Sequence, residues 1–268
     1  MVCNLGFLDI HIRNIKGINA IFQFLYTRMN DVVSIRLMGG LGNQLFQLFT
    51  VIAYGIEHAN TVVLPYVSEL HVGTVRSTYW DTFLIGLRIL TTHNTNIKVT
   101  NNSLLQMPLY KEETFHYTEI PKLNTTGTLL FGYYQSYKYF DKYRDDIYNM
   151  IHIQEQQSTI RREYGDLFSD KETISMHFRL DDYKNIQESH PILDVDYYYN
   201  AICNVTMNLD SSYRILYFCH KNDNKDVLQI ISVLSARFPS VEFVKVDDSI
   251  EDWKQLLIMS ICSHNIIA

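Results

Sequence analysis

Cysteine, proline and basic residues are scarce in this sequence of 268 residues. It has four cysteines and five prolines, and no two cysteines have the C-x-x-C spacing of a metal or redox site. We interpret the cysteines as reduced, small apolar side chains. Lys and Arg number 23 against 29 Asp and Glu, a formal net charge of −6. This charge argues against general nucleic-acid binding, which depends on Lys and Arg at the phosphate backbone.

Long apolar runs are also missing. The most apolar N-terminal stretch, Leu5 to Tyr26, is interrupted by Asp9, His11, Arg13 and Lys16. A membrane-spanning helix requires about 20 mostly apolar residues, so we expect no transmembrane anchor. There is no clear signal-peptide pattern either, and on this basis a cytoplasmic location is expected.

Short apolar segments alternate with amphipathic segments of helical period. This order predicts an α/β fold, with parallel sheets whose strands are joined by crossover helices. We expect an N-terminal extension over 1–31, an α/β domain over 32–165 and a second α/β domain over 166–268. The expected strands are 32–37, 61–64, 128–134, 173–180, 214–219, 241–246 and 265–268. The expected helices are 43–58, 137–151, 194–209, 227–238 and one that Ser249 opens in a capping box with Asp252.

A glycine-rich turn joins the first expected strand to the first expected helix. The stretch RLMGGLGNQLFQLFT, Arg36 to Thr50, contains Gly39, Gly40 and Gly42. A strand, a turn and a helix N-terminus form an anion site, and glycine lets the backbone approach a ligand closely. The turn lacks the G-K-[ST] of a Walker A loop, and Leu45 stands where the dinucleotide fingerprint has its third glycine. A plain tight turn remains the alternative.

Polar side chains occupy one face of a later strand. In SMHFRLDDY, the alternation puts Ser175, His177 and Arg179 on the same face. Ligands of open α/β sheets bind beyond the carboxyl ends of the strands. Arginine binds phosphate oxygens with a planar fork, so His177 and Arg179 suit a diphosphate. A surface Arg–Asp pair beside a structural histidine is the alternative.

Five segments of the chain, in order, resemble the α-1,2-fucosyltransferase family, which uses GDP-fucose. The resemblance extends over about 32–268, and ordered matches of this number rarely arise by chance. The segments are GGLGNQLFQ (39–47), GYYQSYKYF (132–140), HFRLDDY (177–183), HPILDVDYYYNAI (190–202) and MSICSHNIIA (259–268).

The resemblance implies a GT-B-like architecture, two Rossmann-like domains that face each other across a cleft. It implies inverting transfer of fucose from GDP-fucose to a hydroxyl of a glycan acceptor, with no obligatory metal or other cofactor. It also implies a role in carbohydrate metabolism and protein glycosylation, and association with Golgi membranes as an alternative to the cytoplasm.

The matching motifs also imply roles for individual residues. Arg179 and His177 would belong to the donor site, with Arg179 binding the β-phosphate and stabilising the charge on departing GDP. Asp182 would be a carboxylate that orients the loop or the sugar. The residues that would line the cleft from the first domain are Gly39, Gly40, Gly42 and Asn43.

Two departures from the family pattern bear on activity. The family's R-R-G-D reads Arg179-Leu180-Asp181-Asp182 here, so the second arginine and the glycine are replaced. The family's last motif, N-S-x-F-S-W-W, does not follow HNIIA, so we expect the second domain to be truncated. An inactive descendant that binds a nucleotide or a glycan is therefore an alternative.

An Asp-Val-Asp sequence could indicate a metal site. Asp194 and Asp196 have the spacing that binds Mn²⁺ in another class of glycosyltransferase, and a metal-dependent enzyme is a further alternative. Asp194 also precedes an expected helix, where aspartate caps free backbone N–H groups. The histidines have no H-E-x-x-H or other ligand spacing. We therefore favour capping and expect no metal ligands.

Overall fold

The computed structural model describes residues 31–268 except 124–126, 169–170, 181, 186, 189, 208 and 210–211. The N-terminal extension up to residue 30, with Cys3, and the replaced Asp181 lie outside the described residues. The chain divides into two compact units, unit 1 up to Ile153 and unit 2 from Gln154. Each has a four-stranded sheet in which all pairs are parallel. The predicted α/β class with parallel sheets is confirmed.

Unit 1 is built on a sheet with the strand order β2-β1-β6-β5. The β-branched strand β1 is buried along its whole length, as a central strand of a parallel sheet should be. A small antiparallel pair, β3-β4, lies outside this sheet. The elements are β1 (Val32–Ile35), α1 (Leu41–His58), β2 (Thr61–Val62), β3 (Glu69–Leu70), β4 (Arg76–Ser77), α2 (Asn101–Leu105), β5 (Leu109–Lys111), β6 (Thr128–Phe131) and α3 (Arg144–Met150).

Unit 2 has the strand order β10-β7-β8-β9, so its last strand pairs with its first. One hydrophobic cluster fills the space between the sheet and its helices. The expected strand at the end of the chain is confirmed as β10. The elements are α4 (Ile153–Glu163), β7 (Glu172–His177), α5 (Val195–Thr206), β8 (Tyr213–Phe218), α6 (Asn224–Arg237), β9 (Glu242–Lys245), α7 (Asp252–Ile261) and β10 (His264–Ile267).

One helix expected over 137–151 is in fact three shorter pieces. Two 3-10 turns, Tyr137–Tyr139 and Asp141–Tyr143, precede α3. Phe140 separates the turns, with a backbone at φ −134° and ψ −1° that no α-helix accommodates. The apolar spacing still identified buried residues, since Phe140, Ile147 and Ile151 all lie in the core.

The expected capping box at Ser249 was wrong. Helix α7 begins at Asp252, with Glu251 at the N-cap position. The backbone N–H of Ser249 instead donates to Oδ1 of Asp247 at 2.7 Å, which forms a local turn. The turn uses Ser249, which the pattern assigned to the cap, while Asp252 is the first residue of the helix.

Unit 1 ends at Ile153, whereas the first α/β domain was expected to extend to residue 165. Helix α4 contacts α7 within unit 2, where Gln157 donates to Ser260 at 3.0 Å and Lys254 pairs with Glu163 at 3.5 Å. These contacts explain why α4 belongs with the second sheet.

None of the helices in the described part of the chain combines the length and apolarity needed to cross a bilayer.

Candidate functional site

Two glutamine side chains on α1 hold the glycine-rich turn of unit 1. Gln47 accepts from the N–H of Met38 and donates to the carbonyl of the same residue, both at 3.0 Å. Gln44 donates to the carbonyls of Gly39 at 3.1 Å and Ser77 at 2.9 Å. Both side chains are fully buried. The turn is therefore fixed by buried amides and is not a loose connection.

The three glycines of the turn differ in whether a side chain would fit in their place. Gly39 has φ +79°, and a Cβ there would lie 2.4 Å from Nδ2 of Asn43. A Cβ on Gly40 or Gly42 would meet no described atom within 4 Å. The backbone thus requires glycine at position 39, whereas nothing in the described protein requires it at positions 40 and 42. Open space at these two positions fits the prediction of close approach by a ligand.

Helix α1 begins directly at this turn. Gly40 is its N-cap, with no side-chain hydrogen bond to the cap and no acidic residue in the first turn. The positive end of the helix dipole and the first backbone N–H groups are therefore available to an anion or a sugar oxygen. This is the local geometry that the sequence predicted.

A second motif segment contacts the turn. Nε2 of Gln135 donates to Oδ1 of Asn43 at 2.7 Å, although the two residues are far apart in sequence. The structure therefore brings GYYQSYKYF and GGLGNQLFQ together in unit 1. Gln135 was not predicted as a site residue, although it lies in a motif that the resemblance identified.

In unit 2, the end of β7 presents His177 and Arg179. The alternate residues Ile174, Met176 and Phe178 are buried in the core, as predicted. Ser175 is buried too and donates to Oδ1 of Asn265 on β10. His177 is half-buried at the strand end and Arg179 is exposed just beyond it. The two predicted donor residues therefore share the carboxyl end of β7, whereas Ser175 ties two strands together.

Electrostatics link the imidazole to the guanidinium. Burial lowers the pKa of His177 below its ordinary value of 6.5, and the nearby positive charge of Arg179 lowers it further. At neutral pH the imidazole is uncharged, with one N–H donor and one acceptor nitrogen. The Arg179 guanidinium carbon lies 5.1 Å from the ring centroid of Tyr183, a cation–π distance.

The loop after Arg179 is anchored by Lys184. The predicted site residue Asp182 opens the 3-10 turn Asp182–Asn185, and the N–H of Lys184 donates to the carbonyl of Leu180 at 2.9 Å. Nζ of Lys184 lies 2.9 Å from Oδ1 of Asp223 and 2.9 Å from Oδ2 of Asp226. Asp223 is only 1% exposed. The anchor joins the motif loop to the start of α6, and no sequence signal marked it.

The Asp-Val-Asp residues have partners within the fold. Oδ1 of Asp194 accepts from the N–H of Tyr197 at 3.0 Å, so the predicted cap of α5 is confirmed. Oδ1 of Asp196 pairs with Nη1 of Arg237 at 2.8 Å. Within the described residues, no three His, Cys, Asp or Glu side chains form a group that could hold a metal ion.

Comparisons with known proteins give structural likeness without sequence similarity. No protein-family model matches the chain, and no curated protein is significantly similar to it in sequence. The fucosyltransferase NodZ from Bradyrhizobium is 14% identical with a TM-score of 0.39, over 81% of this chain and 78% of that one.

Two further fucosyltransferase structures are similar at the same level. A mutant of Arabidopsis thaliana FUT1 in complex with GDP is 10% identical with a TM-score of 0.45, over 92% of this chain and 68% of that one. POFUT1 in complex with GDP-fucose is 12% identical with a TM-score of 0.46, over 90% of this chain and 91% of that one. The α/β class assigned above rests on the two parallel sheets of this chain itself.

Proposed function

We propose that this chain is an inverting glycosyltransferase that moves fucose from GDP-fucose to a sugar hydroxyl, with the linkage type α-1,2. The observation that carries the proposal is the pair of His177 and Arg179 at the carboxyl end of β7, inside a segment similar to the family's H-x-R-R-G-D-Y motif. Because ligands of parallel sheets bind at that end, the pair is where a diphosphate would be bound.

In this proposal Arg179 binds the β-phosphate of the donor. The acceptor oxygen forms a bond to C1 of fucose from the face opposite GDP, and the bond from C1 to the phosphate oxygen breaks. GDP leaves with that electron pair, and the proton of the acceptor hydroxyl passes to a general base, directly or through one water. A fixed guanidinium stabilises the charge that develops on the leaving phosphate, as a metal ion does in other enzymes.

We assign His177 a hydrogen-bonding role toward the donor. Its depressed pKa keeps the ring neutral, so it does not add a second cation beside Arg179. Asp182 is proposed to orient the loop or the fucose through its carboxylate.

The turn in unit 1 is proposed to bind the donor through its backbone. A Cβ on Gly40 or Gly42 would meet open space, and no side chain caps the first N–H groups of α1. Gly39, at φ +79°, sets the direction of the turn, and Asn43, whose Oδ1 accepts from Gln135, is proposed to contribute its side-chain amide.

Titration with GDP and assay of fucose transfer test the proposal. Arg179→Ala should weaken GDP binding about 10- to 100-fold, since hydrogen bonds to charged groups contribute about 1.5–3 kcal/mol. Arg179→Lys should recover part of this binding but little of the transfer rate, because a lysine lacks the planar fork.

The matched control is Arg237→Ala, which removes an arginine of unit 2 that pairs with Asp196. Its GDP affinity should equal that of the unchanged protein. Equal affinity of the Arg179→Ala protein and this control, or no fucose transfer to any sugar of a broad acceptor panel by a folded sample, contradicts the proposal.

A further inference from the structure

Two segments that follow neighbouring strands of unit 1 contact each other at the carboxyl side of the sheet. The strand order β2-β1-β6-β5 reverses between β1 and β6, because the chain passes from β1 to β2 on one side while β6 pairs on the other. Ligands of open α/β sheets bind at such a reversal, beyond the carboxyl ends of the strands. The glycine-rich turn follows β1, and the segment 132–136 follows β6. Contacts between these two segments therefore bear on ligand binding.

The backbone after β6 turns sharply at Tyr134. Tyr134 has φ +51°, a left-handed value that residues with a side chain rarely adopt. Its carbonyl accepts from the N–H of Ser136 at 2.7 Å. Its ring is 1% exposed and packs edge-on against Tyr139, with 5.3 Å between the ring centroids. A left-handed tyrosine is unfavourable by itself, so the surrounding structure must stabilise this turn.

The carboxylate of Glu112 provides this stabilisation. Its Oε2 accepts from the N–H of Tyr133 at 2.7 Å and from the N–H of Tyr134 at 3.0 Å. The N–H of Glu112 itself donates to the carbonyl of Phe131 at 2.9 Å, which continues the pairing of β5 with β6. A Cβ on Gly132 would lie 2.4 Å from Cβ of Glu112, so glycine leaves room for the glutamate. A side chain that follows β5 thus fixes the backbone that follows β6.

The turn at Tyr134 sets the direction of the next side chain. Nε2 of Gln135 donates to Oδ1 of Asn43 at 2.7 Å. Because Oδ1 of Asn43 accepts this bond, the two N–H groups on its Nδ2 remain as donors on the other side of the amide. Nδ2 lies beside Gly39, 2.4 Å from where a Cβ on that glycine would be. The contacts therefore connect Glu112, through the turn and Gln135, to the amide of Asn43.

We propose that Glu112 is a positioning residue for fucose transfer. Its carboxylate holds the turn at Tyr134, the turn directs Gln135, and Gln135 orients Asn43 so that Nδ2 donates to an oxygen of the donor sugar. The proposal rests on the proposed function, which assigns Asn43 to the donor site. Glu112 acts through the turn and contacts no substrate.

The first test compares Glu112→Ala, Glu112→Gln and the control Glu113→Ala in the full chain, with GDP-fucose as donor and lactose as acceptor. Glu112→Ala should lower kcat about 10- to 100-fold, because a misplacement of about 1 Å can lower a rate about 100-fold. GDP affinity should change less than about threefold, since Arg179 is assigned the diphosphate. Glu112→Gln keeps an oxygen that accepts backbone N–H groups but lacks the charge, so its kcat should lie between those of Glu112→Ala and the control.

Glu113 is a matched control because it is the next residue and its side chain is exposed. Its alanine variant should transfer fucose at the rate of the unchanged protein. A folded Glu112→Ala protein whose kcat equals that of this control overturns the proposal.

A double-mutant cycle separates positioning from a general loss of stability. Gln135 is exposed, so Gln135→Ala should fold, and its kcat should fall as far as that of Glu112→Ala. If Glu112 acts through Gln135, the double variant should match Gln135→Ala within about threefold. An unchanged kcat in Gln135→Ala, or effects that multiply in the double variant, overturns the proposal.

NMR of side-chain amides follows the same contacts without an assay of activity. The NH2 signals of Asn43 should shift in Glu112→Ala and should coincide with those of the unchanged protein in Glu113→Ala. Unshifted Asn43 signals in a folded Glu112→Ala protein overturn the proposal, whatever its activity.

These readouts distinguish the proposal from the proposed function. Glu112→Ala with shifted Asn43 signals but full transfer and full GDP binding overturns the positioning role alone. If the unchanged protein neither binds GDP nor transfers fucose, both the proposed function and a role of Glu112 in transfer are contradicted, and the NMR shift then reports a structural contact only.

Discussion

At the scale of single residues, Gly39 and Gly42 should respond in opposite ways to alanine. Gly39→Ala places a side chain at φ +79° and against Asn43, and we expect a loss of at least about 1–2 kcal/mol in the free energy of unfolding. Gly42→Ala replaces an exposed glycine in the first turn of α1 and should stabilise by up to about 0.5 kcal/mol. Urea denaturation measures both changes.

The effect of Gly42→Ala on fucose transfer should differ from its effect on stability. Gly42→Ala places a methyl group in the space that we assign to the ligand, so fucose transfer should fall although the fold is intact. Full activity in a Gly42→Ala protein would show that the glycine serves only the turn.

The lowered pKa of His177 predicts that the stability of the protein depends on pH. Its pKa in the folded protein lies below the ordinary value of 6.5, so the unfolded chain binds this proton more readily. The contribution of His177 to stability is complete above about pH 6.5 and is lost as the pH falls from there toward the folded pKa. His177→Gln should therefore lose less stability than the unchanged protein between pH 7.5 and pH 5.0, measured by thermal melting. Parallel curves for the two proteins would contradict this.

At the scale of elements, the anchor between the motif loop and α6 should control both stability and donor binding. Lys184→Met removes the ammonium that faces buried Asp223, and we expect a clear fall in melting temperature and weaker GDP binding. The exposed Lys221, in the turn just before α6, provides the control Lys221→Met. If both variants melt and bind GDP alike, the anchor has no role in holding the Arg179 loop.

Element types were predictable from sequence because apolar periodicity reflects burial directly. The alternation in β7 correctly separated Ile174, Met176 and Phe178 from His177 and Arg179. It could not show that Ser175 would be buried, because that depends on β10 pairing at the other side of the strand. The starts of helices were harder to predict from sequence. Asp194 and Ser249 are both polar residues in front of an expected helix, but only Asp194 forms a cap.

The candidate site was predicted in part. The glycines, His177 and Arg179 carry chemistry that a linear motif reveals. Gln44, Gln47 and Lys184 position those groups through contacts that depend on the folded chain. Gln44 and Gln47 share one helical face with Leu48 and Val51, and this spacing could have predicted their burial. The contact of Gln135 with Asn43 could not be predicted from any sequence signal beyond the motif that contains Gln135.

At the scale of the whole molecule, the proposed chemistry predicts transfer without a metal ion. Asp194 caps α5 and Asp196 pairs with Arg237, while Arg179 is assigned the charge stabilisation that a cation would supply. Fucose transfer should therefore keep most of its rate in EDTA. A large loss in EDTA that Mn²⁺ restores would favour a metal-dependent transferase instead.

The strand order of unit 2 has a consequence for how the chain is made. β10 pairs with β7, and Asn265 accepts from Ser175 across that pair. On the ribosome, β7 and β8 are synthesised well before β10, so one side of β7 keeps unpaired amide and carbonyl groups until β10 is available. Such an edge is a template for pairing with other nascent chains. Pauses in translation shortly before codon 264 should therefore promote aggregation more than pauses at the boundary between the units.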